Sequence, residues 1–159
     1  MRLKIAAALA LAAAPSLHAQ SLPAQAPPPA PDPAGATPVS GTWSYSNGPA
    51  STVARFVSAT GQPQLTVSCL RSARQLVIAK PASTAAPFML LWTSSTTKSY
   101  PASFDPATGV VSVRLAASDA MLDAIVFSRA RFAVTLTGSP QLVLPNEPEL
   151  TRVIEDCRA

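Results

Sequence analysis

Two arginines near the end of the chain have the clearest capacity to bind a ligand. In the segment Ser128-Arg129-Ala130-Arg131-Phe132, Arg129 and Arg131 are separated by one residue. If the segment is extended, both guanidinium groups project to the same side and can receive a carboxylate or a phosphate. The structural alternative is that they pair with carboxylates of the C-terminal helix or keep the surface soluble, and it is favoured. Arg129 and Arg131 remain the candidate anion or partner contact.

Asp119 and Asp123 have a spacing that can support acid–base chemistry. They lie four residues apart in a predicted short helix, where two carboxylates can divide the roles of acid and base. The favoured alternative is that Asp119 interacts with the positive helix N-terminus and that Asp123 is solvated.

Four aromatic residues are candidates to line a groove for sugars or peptides: Trp43, Tyr45, Trp92 and Tyr100. Aromatic residues at strand positions are more often part of the core or its rim, and we favour that structural role.

The distribution of histidine excludes several kinds of chemistry. The one histidine, His18, lies in a predicted signal peptide, so Ser-His and Cys-His catalysis and histidine metal sites are excluded from the mature chain. Neither a Gly-rich phosphate loop nor a metal-spaced acidic loop is present. The sequence therefore predicts no catalytic residue, no metal and no cofactor, and the protein is predicted not to be an enzyme.

Cys69 and Cys157 are the two cysteines, and in an exported chain they most simply form a disulfide. A redox pair or a metal site is the alternative, but there is no C-x-x-C spacing and no mature histidine to support it. The disulfide would close a loop of 88 residues. For such a loop the chain-entropy model gives a stabilisation of the folded state of roughly 4.5 kcal/mol as an upper-end estimate.

The N-terminus predicts export. Arg2 and Lys4 precede an apolar run from Ile5 to Ala14, and Leu17-His18-Ala19 provides a cleavage site, which together indicate a signal peptide over residues 1–19. The run is too short for a membrane span. The mature chain is therefore predicted to be periplasmic or secreted, with no integral membrane segment.

Residues 20–40 are predicted to be a disordered linker. They contain many prolines among Ala, Gln and Ser, a composition that favours an extended polyproline II spacer. Residues 41–159 are then a single domain. Without Arg2 and Lys4 the chain has ten Lys and Arg against eight Asp and Glu and no basic cluster, so nucleic acid is not a predicted partner.

The domain is predicted to be mainly β. Short β-type runs alternate with turn residues, which indicates an antiparallel meander sheet or a small sandwich. In the run 64–70, Leu65, Val67 and Cys69 share one face, whereas in 74–79 either Leu76 and Ile78 or Val77 and Ala79 point inward. The run 88–92 is continuously apolar, which suits a central strand covered on both faces, and 98–104 is an edge strand at best because of Pro101.

Two helices complete the prediction, one near 118–126 capped by Ser118 and one near 147–157. Asn146 stands as the N-cap of the second helix, with Glu149 completing a capping box. One stripe of this helix is apolar and ends on Cys157, so the helix should lie on the core as a lid held by the disulfide. Arg152 on the opposite face is spaced to pair with Glu149 and Asp156.

Three segments carry a resemblance, namely Leu122–Phe132, Leu142–Pro145 and Arg152–Arg158. They resemble small exported proteins of alphaproteobacteria that have no assigned function. The order of a strand, a proline and a closing helix is also similar to that of the invasion-associated locus B proteins, periplasmic β-rich modules whose additional cysteine pairs are missing here. The resemblance implies an exported β-domain and supplies no catalytic residue.

The predicted function is that of a non-enzymatic interaction domain on a Pro-rich tether. Its partner would be another envelope protein or cell-wall material. The alternative is an envelope enzyme or inhibitor that uses a surface site of Arg129, Arg131 and Asp123.

Overall fold

The computed structural model of the chain describes residues 32–159. The predicted signal peptide and residues 20–31 of the predicted linker lie outside these residues. In order, the elements are β1 Gly41–Asn47, β2 Ser51–Ser58, β3 Pro63–Leu70, β4 Gln75–Pro81, β5 Phe88–Trp92, β6 Thr97–Pro101, β7 Ser103–Asp105, β8 Val110–Ala116, α1 Ala120–Val126, β9 Arg131–Leu136, β10 Leu142–Pro145 and α2 Pro148–Asp156.

The strands form two antiparallel sheets. A six-stranded sheet has the order β1-β2-β3-β4-β8-β7, and a four-stranded sheet has the order β10-β9-β5-β6. The mainly β class is confirmed, and the division into two sheets corresponds to the sandwich alternative.

One apolar core joins the two sheets and both helices. Leu65, Val67 and Cys69 are buried on one face of β3 as predicted, and on β4 the inward pair is Leu76 and Ile78. The Trp43 ring stacks on the Phe132 ring with centroids 6.3 Å apart, which connects β1 of the larger sheet to β9 of the smaller one.

Helix α2 lies on the larger sheet as the predicted lid. Its apolar residues Leu150, Val153 and Ile154, with Cys157 just beyond its end, are buried, and the helix packs against β1, β2 and β3. Cys157 is bonded to Cys69 with the Cα atoms 5.4 Å apart, so the predicted disulfide is confirmed.

The predicted position of α2 near 147–157 is confirmed, but its predicted N-cap, Asn146, is wrong. The N-cap is Glu147, without a side-chain cap, and Pro148 occupies the first turn, where its missing N–H costs nothing. Asn146 instead directs its side-chain Nδ2 to the carbonyls of Ile125 and Val126 at 2.9 and 3.0 Å. Its side chain thus serves the end of α1, whose last carbonyls need donors.

The other exposed residues of α2 also differ from expectation. Arg152 lies over the Tyr45 ring, 4.3 Å from the centroid, and the Tyr45 hydroxyl donates to Asp156 at 2.7 Å. An aromatic face on β1 therefore takes the place of the helix ion pairs predicted for Arg152. In α1, the cap is Asp119 rather than Ser118, because the Asp119 carboxylate accepts the Met121 N–H at 2.9 Å.

The segment 98–104 divides between the two sheets. Thr97–Pro101 forms β6 at the edge of the smaller sheet, and Ser103–Asp105 forms β7 at the edge of the larger one. The edge position is as predicted, but the segment forms two short edge strands in different sheets and not one strand.

Strand β5 is internal in its sheet, as predicted, but only one of its faces is covered. Met89 and Leu91 are fully buried in the core, whereas Phe88 on the other face is 50% exposed. The prediction of burial on both faces is therefore wrong, because no helix or sheet of the described chain packs over the outer face of β5.

Neither helix within residues 32–159 is both long enough and apolar enough to cross a bilayer.

Candidate functional site

Residues 32–40, which we call the strap, pack against the smaller sheet. The Val39 N–H donates to the Val143 carbonyl of β10 at 2.9 Å, and the Ser40 carbonyl accepts the Ala59 N–H at 2.9 Å. Pro33 is buried. The linker predicted over 20–40 therefore does not include the strap, because backbone hydrogen bonds and a buried proline attach these residues to the domain.

Arg131 is the side chain that holds the strap. Its Nη1 donates to the carbonyl of Ala34 at 3.3 Å and to that of Ala36. Neither alternative drawn from the sequence describes this role, since the partners are backbone carbonyls and not a ligand or the carboxylates of α2. The segment is also not extended as assumed, because Ala130 has a φ of 60° and lies in the left-handed region.

The strap covers a second apolar face of the smaller sheet. Ala133 is 0% exposed and Val143 5% exposed, yet neither belongs to the main core. They are paired across β9 and β10, and they alternate with core residues such as Phe132 and Val134, so they point to the outer face. The position of the strap explains why they are nevertheless buried.

Beyond the strap, strand β5 carries apolar residues on the same outer face, between Thr97 and Ser99 of β6 and Thr135 of β9. Trp92 pairs with Ala133, and Leu90 and Phe88 follow at alternate positions along β5. Leu90 and Trp92 are half-buried. We call Phe88, Leu90 and Trp92 the outer stripe. By contrast, the outer face of the larger sheet carries exposed polar residues such as Ser44, Arg55 and Arg114.

A pocket of about 340 Å³ opens where the strap meets the outer stripe. It is lined by Ala34, Trp92, Ser94, Arg129 and Arg131. Two hydrogen bonds of 3.0 Å join the two chain segments that line it, one from the Arg129 N–H to Ser94 Oγ and one from the Ser94 N–H to Ser128 Oγ. The structure therefore brings Arg129 and Arg131 together with Trp92.

Arg129 contributes an exposed cation to this pocket. Its side chain makes no ion pair within the described part of the chain, whereas Arg131 is engaged with the strap. An aromatic ring beside an exposed guanidinium suits a partner with apolar groups and an anionic group.

Asp123 lies in a different pocket. Its Oδ1 forms an ion pair with Arg158 Nη1 at 2.8 Å. Both residues line a cavity of about 580 Å³ together with Arg74 and Ser118. The Arg158 Nε also donates to the Ala117 carbonyl at 3.0 Å. Arg129, Arg131 and Asp123 thus line two separate pockets, so they do not assemble into one site.

Asp119 belongs to a structural cluster that joins β6 to α1. Its carboxylate accepts from the Tyr100 hydroxyl at 2.9 Å and from Lys98 Nζ at 3.3 Å. Desolvation opposes ionisation of Asp119, but the Met121 N–H, Tyr100 and Lys98 outweigh it and lower its pKa. Hydrogen bonds to Tyr100 and Asp119 raise the pKa of Lys98. Asp119 and Asp123 have separate partners, and they do not act as a dyad.

The four aromatic residues do not form a groove. Trp43 is in the core, where its Nε1 donates to the Pro145 carbonyl at 3.0 Å, and Tyr100 is buried beside α1. Tyr45 lies against α2, where its hydrogen bond to Asp156 raises its pKa. Trp92 is the member that lines the pocket with the arginines.

Sequence reasoning missed the strap and the outer stripe. The signal for the stripe was the apolar run 88–92, which was interpreted as burial on two faces. Residues 32–159 contain no group of three or more His, Cys, Asp and Glu side chains able to hold a metal ion.

Comparison with protein-family models, curated proteins and solved structures finds no significant match for this chain.

Proposed function

We propose that this chain is an exported, non-enzymatic interaction domain that binds a protein of the cell envelope through the outer stripe and Arg129. One observation carries the proposal: an apolar, partly exposed stripe lies on the outer face of a sheet whose inner face already supplies the core. Exposed apolar surface beside charged groups is typical of a binding site.

Composition supports a protein partner over a wall polymer. Trp and Arg are among the residue types that most often dominate protein interfaces, and the stripe itself offers apolar contact. Arg129 adds a preference for a carboxylate beside the apolar contact.

The periplasm or the extracellular space is the proposed location. The buried disulfide suits an oxidising compartment, and the predicted signal peptide supplies the route. The resemblance to exported alphaproteobacterial proteins agrees with this location. A mass spectrum of the exported protein with and without reduction would test it, and two free thiols on an unprocessed chain would contradict it.

The binding test compares envelope proteins captured by the mature chain with those captured by Trp92→Ala. A partner bound by the stripe should be lost with Trp92→Ala, and Arg129→Ala should weaken its capture most at low salt. Arg114→Ala, which removes an exposed arginine from the larger sheet, is the matched control and should capture the partner normally.

Two results would reject the proposal. One is a partner that Trp92→Ala and Arg129→Ala capture as well as the unchanged chain does. The other is the absence of any partner enriched over the Trp92→Ala background.

A further inference from the structure

We propose that two copies of this chain pair along strand β1, so that their larger sheets join into one sheet across a two-fold axis. The proposal goes beyond the proposed function, because β1 is an edge of the larger sheet and the outer stripe lies on the smaller one. Pairing of two copies is measured on the chain alone, so the proposal stands or fails independently of any envelope partner.

The sheet edges within residues 32–159 differ in how they are protected. An edge strand offers free N–H and C=O groups to another strand, and proteins block such pairing with short strands, proline, charge or a covering segment. Strand β10 is covered by Val39 of the strap, and β7 has three residues. Strand β6 carries Lys98 and Pro101. Strand β1 has seven residues with neither a charge nor a proline, so it is the edge that lacks these protections.

The backbone of β1 is oriented for pairing on its free side. At one end of the β1–β2 ladder, the Gly48 N–H donates to the Ser51 carbonyl at 2.9 Å. At the other end, the Ala59 N–H donates to the Ser40 carbonyl at 2.9 Å. Since hydrogen-bonded positions alternate in an antiparallel pair, the even-numbered residues of β1 bond to β2. The odd-numbered residues direct their N–H and C=O groups away from the sheet, where the described part of the chain supplies no backbone partner. They are Gly41, Trp43, Tyr45 and Asn47.

Both faces of β1 leave space for the side chains of a second strand around Tyr45. On the face toward α2, a cavity of about 380 Å³ is lined by Tyr45 and Arg152. On the outer face, a cavity of about 330 Å³ is lined by Ser44, Ser46 and Arg55. Main-chain pairing at an edge, with pockets for alternate side chains, is an established way in which proteins bind an extended strand.

The strand that fits this edge is β1 of a second copy. In an antiparallel pairing centred on Ser44, Gly41 lies opposite Asn47 of the second copy, and Trp43 lies opposite Tyr45 of the second copy. Every residue whose backbone groups point outward then occupies a hydrogen-bonded pair over the full length of the strand. No charged side chain of β1 opposes another, and the outer face of the strand carries Ser and Thr, which pair well across strands.

The same symmetry limits the assembly to two copies. A two-fold axis uses the same surface on both chains, and the described residues of each chain offer one edge of this kind. Once two copies of β1 are paired, neither chain presents that edge to a third. We therefore expect a dimer and not a fibre.

A cysteine at the axis tests the register. Ser44 would lie in a non-hydrogen-bonded pair with Ser44 of the second copy, with Cα atoms about 4.5 Å apart, which is within reach of a disulfide. The Ser44→Cys variant of the mature chain should therefore form a linked dimer under mild oxidation, because Cys69 and Cys157 are already bonded to each other. Ser46→Cys is the register control. It should link poorly to itself and well to a Thr42→Cys chain, because position 46 lies opposite position 42.

The mass of the assembly tests the interface without oxidation. Light scattering along a dilution series should give the mature chain twice the mass of one copy at high concentration. Ser44→Lys places two like charges opposite each other at the axis, so it should raise the dissociation constant about fivefold, and added salt should reduce this effect. Ser103→Lys is the matched control, because it makes the same change at an exposed position of β7, the other edge of the larger sheet. It should dimerise like the unchanged chain.

Three results would overturn the proposal. The first is the mass of one copy throughout the dilution series, which would point to a strand of another protein as the occupant of the edge. The second is a dimer that Ser44→Lys and Ser103→Lys affect equally. The third is linking of Ser44→Cys that is no faster than linking of Ser46→Cys to itself.

Trp92→Ala separates this inference from the proposed function. The variant changes the outer stripe and leaves β1 intact, so it should dimerise like the unchanged chain. If it dimerises and captures the same envelope proteins as the unchanged chain, the proposed function fails and the inference stands. If it loses a partner while the unchanged chain has the mass of one copy, the inference alone fails.

Discussion

Thr52 is a buried polar residue within the apolar core. It is 0% exposed, it pairs with Cys69 across β2 and β3, and its Oγ1 has no hydrogen-bond partner within the described residues. A buried hydroxyl without a partner loses its hydration and gains nothing in return. This residue therefore reduces the stability of the core beside the disulfide.

Replacing Thr52 by Val should raise the free energy of unfolding by about 1 kcal/mol, because valine keeps the shape and removes the unpaired hydroxyl. Chemical denaturation measures this change. Thr66→Val is the control: Thr66 lies half-buried on the other face of β3, and its change should remain within about 0.5 kcal/mol. A destabilised Thr52→Val variant would indicate that the hydroxyl has a partner in solution.

Asp119 gives the domain a stability that depends on pH. The pKa of this carboxyl is lower in the folded chain than in the unfolded chain. Its ionised form therefore contributes stability that is fully present above the unfolded pKa, about 3.9, and is lost as the pH falls through the lower folded pKa.

The Asp119→Asn variant keeps an acceptor for the Met121 N–H but removes the charge. We expect it to cost about 1 kcal/mol at neutral pH. The difference in Tm between the two chains should shrink as the pH falls below about 4. Asp123→Asn, which breaks an exposed ion pair, should cost less than about 0.5 kcal/mol. A Tm difference for Asp119→Asn that does not change with pH would show that its charge is irrelevant.

At the scale of elements, Asn146 connects the end of α1 to the start of α2. Its Nδ2 donates to the carbonyls of Ile125 and Val126, and its backbone N–H donates to the Ala130 carbonyl at 3.1 Å. Its Oδ1 is buried without a partner, so the donors carry the interaction. One amide thus adds a side-chain donor to the C-terminus of α1, where the Ile125 carbonyl also accepts the Ser128 N–H at 3.1 Å.

Asn146→Ala should lower the free energy of unfolding by about 1 kcal/mol, because the Val126 carbonyl loses its side-chain donor and the Ile125 carbonyl loses one of two donors. Asn146→Asp should lower the free energy of unfolding further than Asn146→Ala does, since a carboxylate cannot donate a hydrogen bond and repels those carbonyls. Thermal unfolding of both variants at neutral pH tests this order. If Asp is tolerated as well as Ala, the side chain is not acting as a donor.

At the scale of the whole molecule, α2 is held on the larger sheet by its apolar residues and by a disulfide that spans 88 residues of sequence. The bond ties the C-terminal residues to the third strand. Its main effect is to limit the freedom of the unfolded chain, and this effect grows with the length of the loop.

The double replacement Cys69→Ala and Cys157→Ala should lower the free energy of unfolding by roughly 3 to 4 kcal/mol. Limited proteolysis should then cut first at the junction before α2. Reduced wild-type protein serves as the comparison, because it removes the bond and keeps both side chains. Unchanged stability in both proteins would mean that packing of α2 alone is sufficient.

Periodicity was sufficient to predict the class of the fold and the C-terminal helix that covers its larger sheet. Alternation placed Leu65, Val67 and Cys69 on one face, and the helical spacing placed Cys157 on the stripe that meets them. Both patterns depend on local geometry, which the sequence determines directly. The burial of these residues and the disulfide between them follow from those two patterns.

The candidate site depended on the tertiary structure. Arg131 could be selected from its neighbour Arg129, but its binding to Ala34 and Ala36 required a strap nearly a hundred residues away in sequence. The apolar run 88–92 does not reveal which of its faces the second sheet covers. Local patterns determine which side chains share a face, whereas long-range packing determines which face is left open, and here that open face is the outer stripe.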